Sequence, residues 1–266
     1  MSATRANLPS SGSASMRPTG RPHRNNDPMN GLIGLLGTLA LLLAAGGLIG
    51  LLDRRNFSGR WLLVAALIVA VNDALLTKFY GLVPNLLPGA ELNWQGKLLA
   101  LAATLAIAAL PMFGWHRVGL TLAQAPGSVR AAIPVMLAYC AFIATLASLF
   151  PNDPPGMEDV AFQLSMPGLE EEPYYRGILL LALDRAFAGR VRFLGVEWGW
   201  GAVLSCMLFG LAHAFGYSAG GFSLDPLTMA LTAIPSFLVV WLRLRTGSLL
   251  LPILLHNVGN TIFVFL

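Results

Sequence analysis

Long apolar segments joined by short polar ones constrain this chain more than any other feature. Eight such segments follow one another, each close to the roughly 20 residues that a spanning helix needs. Only 11% of the residues are charged, whereas soluble domains usually carry about 25%. We therefore predict an all-α, polytopic membrane protein with about eight transmembrane helices. The predicted helices cover residues 30–52, 61–82, 97–115, 131–150, 159–187, 200–217, 227–245 and 249–266.

Outside these segments the sequence has one long polar stretch. Residues 1–28 are rich in Ser, Arg, Pro and Asn, so we expect a disordered tail there and a single transmembrane helical domain over 29–266. The net charge of +4 comes mostly from Lys and Arg between apolar segments, as in loops at an anionic membrane surface. We expect a multi-pass protein of the bacterial inner membrane that contacts lipid and no nucleic acid.

An acidic triplet, Glu170-Glu171-Glu172, interrupts the fifth segment. Ionisable side chains within a membrane segment are costly unless they pair or face a wet cavity, so each is a candidate functional residue. Glu172 and Arg176 are four positions apart and can pair on one helix face, whereas Glu171 points about 100° away. Pro173 fits the first turn of a helix, which predicts that the triplet lies at a helix N-terminus. Glu171 would suit a general base; a re-entrant loop whose acids only meet water is the alternative.

Further polar residues lie in the sixth and eighth segments. His213 follows Phe209 by one helical turn. His256 and Asn260 share a helix face, so both side chains can donate a hydrogen bond towards one point, as an oxyanion requires. Taken singly, each group has a structural explanation as a hydrogen bond between neighbouring helices. Their concentration in the C-terminal half, together with the acids, predicts one shared site.

In chain order these groups resemble the EExxxR, FxxxH and HxxxN motifs of the CAAX prenyl endopeptidase and bacteriocin-processing (CPBP, or Abi) family of membrane proteases. The resemblance covers roughly the last hundred residues and implies a CAAX-endopeptidase-like bundle of eight helices. Pro173 departs from the usual pattern between the acids and the arginine, which bears on how Glu171 is aimed. The matching residues are Glu171, Glu172, Arg176, Phe209, His213, His256 and Asn260.

The resemblance implies an intramembrane endopeptidase that cleaves membrane-associated polypeptides. Glu171 and His213 would activate a water molecule. His256 and Asn260 would stabilise the oxyanion of the tetrahedral intermediate. A prenylated CAAX tail and a bacteriocin-like peptide are both open as substrates. Supporting roles are implied for Glu172 and Arg176, which would hold the first motif helix, and for Phe209, which would pack behind His213.

Two alternatives stay open from the sequence. The Glu/His mechanism requires no cofactor, yet Glu171, His213 and His256 could supply three ligands to Zn²⁺, so a metalloprotease is the second interpretation. The same residues could instead relay protons in a proton-coupled transporter, or remain in a non-catalytic membrane scaffold or immunity protein. Asn72 and Asp73, in the second segment, are interpreted as local packing or a cavity wall.

Overall fold

The computed structural model describes residues 28–150 and 154–266. The predicted tail, apart from Pro28, lies outside these residues. Ten α-helices are present within the described residues, together with short 3₁₀ turns at Arg54–Asn56 and Phe79–Gly81. The α-helices are α1 (Pro28–Leu52), α2 (Gly59–Leu76), α3 (Trp94–Ala109), α4 (Ser128–Leu149), α5 (Met157–Gln163), α6 (Met166–Glu172), α7 (Leu180–Ala186), α8 (Trp200–Ala214), α9 (Pro226–Thr246) and α10 (Leu250–Phe265).

Four of these helices, α1, α2, α4 and α9, are long and apolar enough to cross a membrane. Three further apolar helices, α3, α8 and α10, are shorter. Each of the seven corresponds to one predicted segment, because hydropathy alone marks a helix that must satisfy its own backbone in lipid. The helical membrane architecture is therefore confirmed, whereas the number of eight transmembrane helices stays a prediction.

The fifth predicted helix is broken into several pieces, so its prediction as one continuous span is wrong. The chain passes from α5 through α6 into a π-helical segment, Pro173–Leu179, and then into α7. The acidic triplet closes α6, whose first residue is Met166, so the prediction that it lies at a helix N-terminus is also wrong. Pro173 lacks an N–H and its ring would clash with the carbonyl one α-helical turn earlier. A π-helical turn is the local distortion that accommodates such a residue.

Two small β-hairpins connect helices of this mostly helical fold. The first pairs β1 (Val191–Phe193) with β2 (Val196–Trp198), and the second pairs β3 (Phe215–Ser218) with β4 (Gly221–Leu224). The second hairpin follows α8 directly and turns at Ala219-Gly220, both with positive φ. Its stacked rings of Phe215 and Phe222 lie against Gly37 of α1, where a Cβ would come within 2.6 Å of the Phe222 ring. The strands have only three or four residues each. Alternation over so few positions is not recognisable in a largely apolar sequence, so the hydropathy pattern did not predict the hairpins.

The helices that surround the polar residues pack closely at glycines. On α6, a Cβ at Gly168 would lie 2.6 Å from the Ile253 carbonyl oxygen of α10. On α10, a Cβ at Gly259 would lie 2.8 Å from the Tyr139 ring of α4. A large apolar core lies where α1, α2, α7 and α8 meet around side chains such as Ile68. This packing leaves the acidic triplet between α3 and α10.

Candidate active site

A cavity of about 490 Å³ lies among α3, α4, α6, α8, α9 and α10. Its wall is largely apolar, with Tyr139, Ile143 and Val239 among the lining side chains. The wall also contains every site residue that the sequence predicted. These are Glu171, Glu172, Arg176, Phe209, His213, His256 and Asn260. Residues from three separate segments of the chain are therefore brought together around one space.

The two carboxylate oxygens of Glu171 have different surroundings: one binds a cation, and the other lies at the cavity. Its Oε1 accepts a hydrogen bond from Lys97 Nζ of α3 at 2.5 Å. Its Oε2 is buried and has no hydrogen-bond partner within residues 28–150 and 154–266. His256 Nε2 lies 3.7 Å from that oxygen. One oxygen is thus anchored, while the other is left beside an imidazole.

Glu172 faces a different set of partners, as its position one residue further along the helix predicts. Its Oε1 accepts a hydrogen bond from His256 Nδ1 at 2.7 Å, and its Oε2 lies 3.4 Å from Arg176 Nε. Arg176 also donates from Nη2 to Ser236 Oγ at 2.7 Å, and its guanidinium lies 4.3 Å from the Phe209 ring centroid. The ion pair between Glu172 and Arg176 is completely buried. The predicted pairing of these two side chains is present.

His213 is oriented by the backbone of its own helix. Its Nδ1 lies 2.8 Å from the carbonyl oxygen of Phe209. A carbonyl can only accept, so Nδ1 carries the proton and, in the neutral ring, Nε2 is left as an acceptor. The Phe209 ring packs beside the imidazole, with 4.7 Å between centroids. His213 is therefore arranged so that its free nitrogen can accept a proton.

Asn260 is held by a side chain that the sequence did not single out. Its Nδ2 donates to Gln163 Oε1 of α5 at 3.0 Å, which leaves the second proton of the same amide for another acceptor. The neighbouring Asn257 connects α10 to α6 instead: its Oδ1 accepts from Gly168 N at 2.7 Å, and its Nδ2 donates to the Ser165 carbonyl at 3.2 Å. Both amides therefore have distinct, fixed orientations.

Sequence reasoning missed Lys97 and Gln163 as members of this polar network, and it named no partner for Glu170. Glu170 is fully buried, accepts from Lys97 Nζ at 2.7 Å and accepts from Asn72 Nδ2 at 2.9 Å. Asn72 therefore does more than pack locally, because it supplies a hydrogen bond to a buried carboxylate. Lys97 stood at the start of the third segment, a position typical of an interfacial anchor. The only sign in the sequence of a further cation was the imbalance between the three acids of the triplet and the single arginine nearby.

The residues present do not fit a metal centre. Within the described part of the chain, no group of three or more His, Cys, Asp and Glu side chains could hold a metal ion. The three predicted zinc ligands do line one cavity, but Glu171 is already bound by the ammonium of Lys97. A divalent cation at this carboxylate would meet the positive charge of Lys97 at close range. The metalloprotease interpretation thus gains no support from the donor set.

One of the comparisons with known proteins gives a match, which covers part of the chain. Residues 157–262 match the family model described as Type II CAAX prenyl endopeptidase Rce1-like. This segment contains all seven residues that the sequence predicted, and the predicted resemblance to this class of membrane protease is confirmed. No curated protein and no solved structure matches the chain. The matched family model is named for an endopeptidase, and the long apolar helices are those of an integral membrane protein.

Proposed function

We propose that this protein is an intramembrane endopeptidase that hydrolyses peptide bonds of membrane-associated polypeptides with a water molecule activated by Glu171 and His213. The observation that carries the proposal is the shared cavity, in which Glu171 Oε2 accepts no hydrogen bond from the described residues and lies 3.7 Å from His256 Nε2. A carboxylate oxygen buried without a hydrogen bond is costly, so such an atom points to a functional partner. Water is the partner that hydrolysis requires.

The general base would act on water at the open side of Glu171. Its Oε2, or the Nε2 acceptor of His213, takes a proton as the water oxygen attacks the carbonyl carbon of the scissile peptide bond. The anchored Oε1 keeps the carboxylate from rotating away. The proton then passes to the leaving amine as the C–N bond breaks, which leaves one new carboxylate and one new amine.

The oxyanion of the tetrahedral intermediate would lie against His256 and Asn260. The second amide proton of Asn260 Nδ2 is available, because the first is taken by Gln163. His256 donates to Glu172 through Nδ1, so it can donate through Nε2 only when both ring nitrogens are protonated. Glu171 and Glu172 lie on two sides of this ring, with Oε2 of Glu171 3.7 Å from Nε2 and Oε1 of Glu172 2.7 Å from Nδ1. Removing one oxyanion donor typically lowers kcat by about 10²–10³.

The substrate would be a polypeptide presented at or within the bilayer. The apolar wall formed by α4, α9 and α10 suits apolar side chains or a lipid-modified residue next to the cleaved bond. The cavity volume of about 490 Å³ has room for a few side chains, so the substrate must enter as an extended segment. A prenylated CAAX tail and an unmodified apolar peptide are the two chemistries to compare.

The test is cleavage by the full chain reconstituted in lipid vesicles. Fluorogenic peptides with a farnesylated CAAX tail, the same tail without the prenyl group, and an apolar peptide are offered to the wild type, Glu171→Gln and His213→Ala. We expect the wild type to cleave at least one of them and both variants to lose about 10²-fold or more in kcat. Mass spectrometry of the products locates the cut bond.

Matched controls use the same substitutions outside the cavity. Glu197→Gln, at an exposed position of strand β2, and His116→Ala, at an exposed position between α3 and α4, should cleave as the wild type does. Full activity in Glu171→Gln would contradict the proposal, and so would proton-coupled uptake by vesicles without any cleavage. Loss of activity with a chelator and its return with Zn²⁺ would replace the metal-free mechanism with a metal-dependent one.

A further inference from the structure

A lysine outside the predicted motifs lies between two carboxylates of the acidic triplet. Lys97 Nζ, in the first turn of α3, is 2.7 Å from Glu170 Oε2 and 2.5 Å from Glu171 Oε1. Its side chain is only 12% exposed, so the pair of contacts is shielded from bulk water. One ammonium group thus forms ion pairs with two carboxylates whose surroundings differ.

The two carboxylates are not equivalent. Glu170 is fully buried, does not line the cavity, and has its second oxygen bound by Asn72 Nδ2. Glu171 lines the cavity, and its second oxygen has no hydrogen bond within the described parts of the chain. Glu170 is therefore satisfied by protein alone, whereas Glu171 is held at one end and open at the other.

We infer that Lys97 is a positioning residue for the reaction: its ammonium anchors one oxygen of Glu171, keeps the carboxylate ionised, and aims the other oxygen at the substrate water. The inference rests on the proposed function, because it gives Lys97 a role only through Glu171. A buried carboxylate favours its neutral form unless a cation lies beside it. A protonated Glu171 could not accept a proton from water, so the cation at Lys97 decides whether the base is active.

The competing explanation is that Lys97 only neutralises the buried charge of Glu170. Both explanations predict that the Lys97→Met variant is less stable than the wild type, because an unpaired buried carboxylate is strongly destabilising. They differ in the double variant Lys97→Met/Glu170→Gln. There the buried charge of Glu170 is gone together with its partner, while Glu171 has lost its anchor. Asn72 can still donate to the side-chain amide oxygen that the Glu170→Gln substitution provides.

The experiment compares four proteins in the same vesicle assay: wild type, Glu171→Gln, Lys97→Met/Glu170→Gln and Lys97→Arg. We expect the double variant to fold as the wild type does, but with kcat about a hundredfold lower and KM little changed. Lys97→Arg retains a cation next to Glu171 and should recover part of the lost kcat. A double variant with the kcat of the wild type would overturn the inference, since Lys97 would then matter only for Glu170.

A second measurement does not depend on cleavage. Infrared spectra of the reconstituted protein at pH 7 should show a protonated-carboxyl carbonyl band in Lys97→Met/Glu170→Gln that disappears when Glu171→Gln is added. The wild type should lack this band. Absence of any such band assignable to Glu171 would overturn the inference even if no substrate is cleaved. A fully active Glu171→Gln would instead refute the proposed function, so the two failures are distinguishable.

Discussion

The buried ion pair between Glu172 and Arg176 gives the sharpest test of how the site is held together. Arg176 is 1% exposed and Glu172 is fully buried, and Arg176 Nε lies 3.4 Å from Glu172 Oε2. Arg176→Met keeps most of the apolar stem but removes the cation, which leaves Glu172 with His256 as its remaining partner. Removing one member of a buried pair typically costs about 3–5 kcal/mol, because the other charge stays buried. We expect a loss of unfolding free energy in this range.

The assay is unfolding of the full chain in mixed micelles, with helix content followed as the fraction of denaturing detergent rises. The double variant Glu172→Gln/Arg176→Met should lose far less unfolding free energy than the sum of the two single losses. It buries no unpaired charge, and the introduced amide oxygen can still accept from His256 Nδ1. The matched control is Arg192→Met on the exposed strand β1, which should change stability by less than about 0.5 kcal/mol. A loss below about 1 kcal/mol for Arg176→Met, as for an exposed pair, would refute the reasoning. Strict additivity of the two single losses would refute it too.

Three further outcomes are expected. Gly168→Ala should lower the unfolding free energy by about 1–3 kcal/mol in the same detergent titration, because its Cβ would lie 2.6 Å from a carbonyl oxygen of α10; Gly47→Ala, which meets nothing within 4 Å, should not. Gln163→Leu should lower kcat by about tenfold in the vesicle assay, less than removal of a donor, because it frees the amide that Gln163 holds; an unchanged kcat would show that this hydrogen bond has no effect on the reaction. Asp225 caps α9 outside the membrane segment, and hydrogen bonds from the Thr228 side chain and backbone lower the pKa of its carboxyl. Because the folded pKa lies below the unfolded value of about 3.9, Asp225→Ala should unfold at a lower temperature than the wild type at pH 7, and the difference should fade as the pH drops below that value; a difference independent of pH would contradict the cap.

Much of the fold could be predicted because lipid imposes a simple rule. Every backbone group of a spanning segment must be satisfied within its own helix, so an apolar run of sufficient length, such as the one that forms α1 or α9, is already a helix prediction. The fifth segment escaped this rule. Pro167 is the second residue of α6 and Pro173 begins the π-helical segment, so helix continuity there depends on hydrogen-bond geometry that hydropathy does not register.

The site could be predicted as far as its spacing was local. Glu172 with Arg176 and Phe209 with His213 are one helical turn apart, and both contacts are present. The roles assigned to Glu171, His213, His256 and Asn260 stay predictions until cleavage is measured. The anchor on Glu171 could not be predicted in this way, because Lys97 is separated from it by 74 positions and reaches it only through tertiary packing of α3 against α6.

The charge balance around Glu170 has a consequence for how this protein can be divided. The family match begins at residue 157. The two side chains that donate to Glu170 lie before it: Lys97 in α3 and Asn72 in α2. A chimera that grafts residues 157–262 onto foreign N-terminal helices would inherit the acids without their counterparts. Residues 157–262 therefore depend on donors from α2 and α3, and this segment is not an autonomous module.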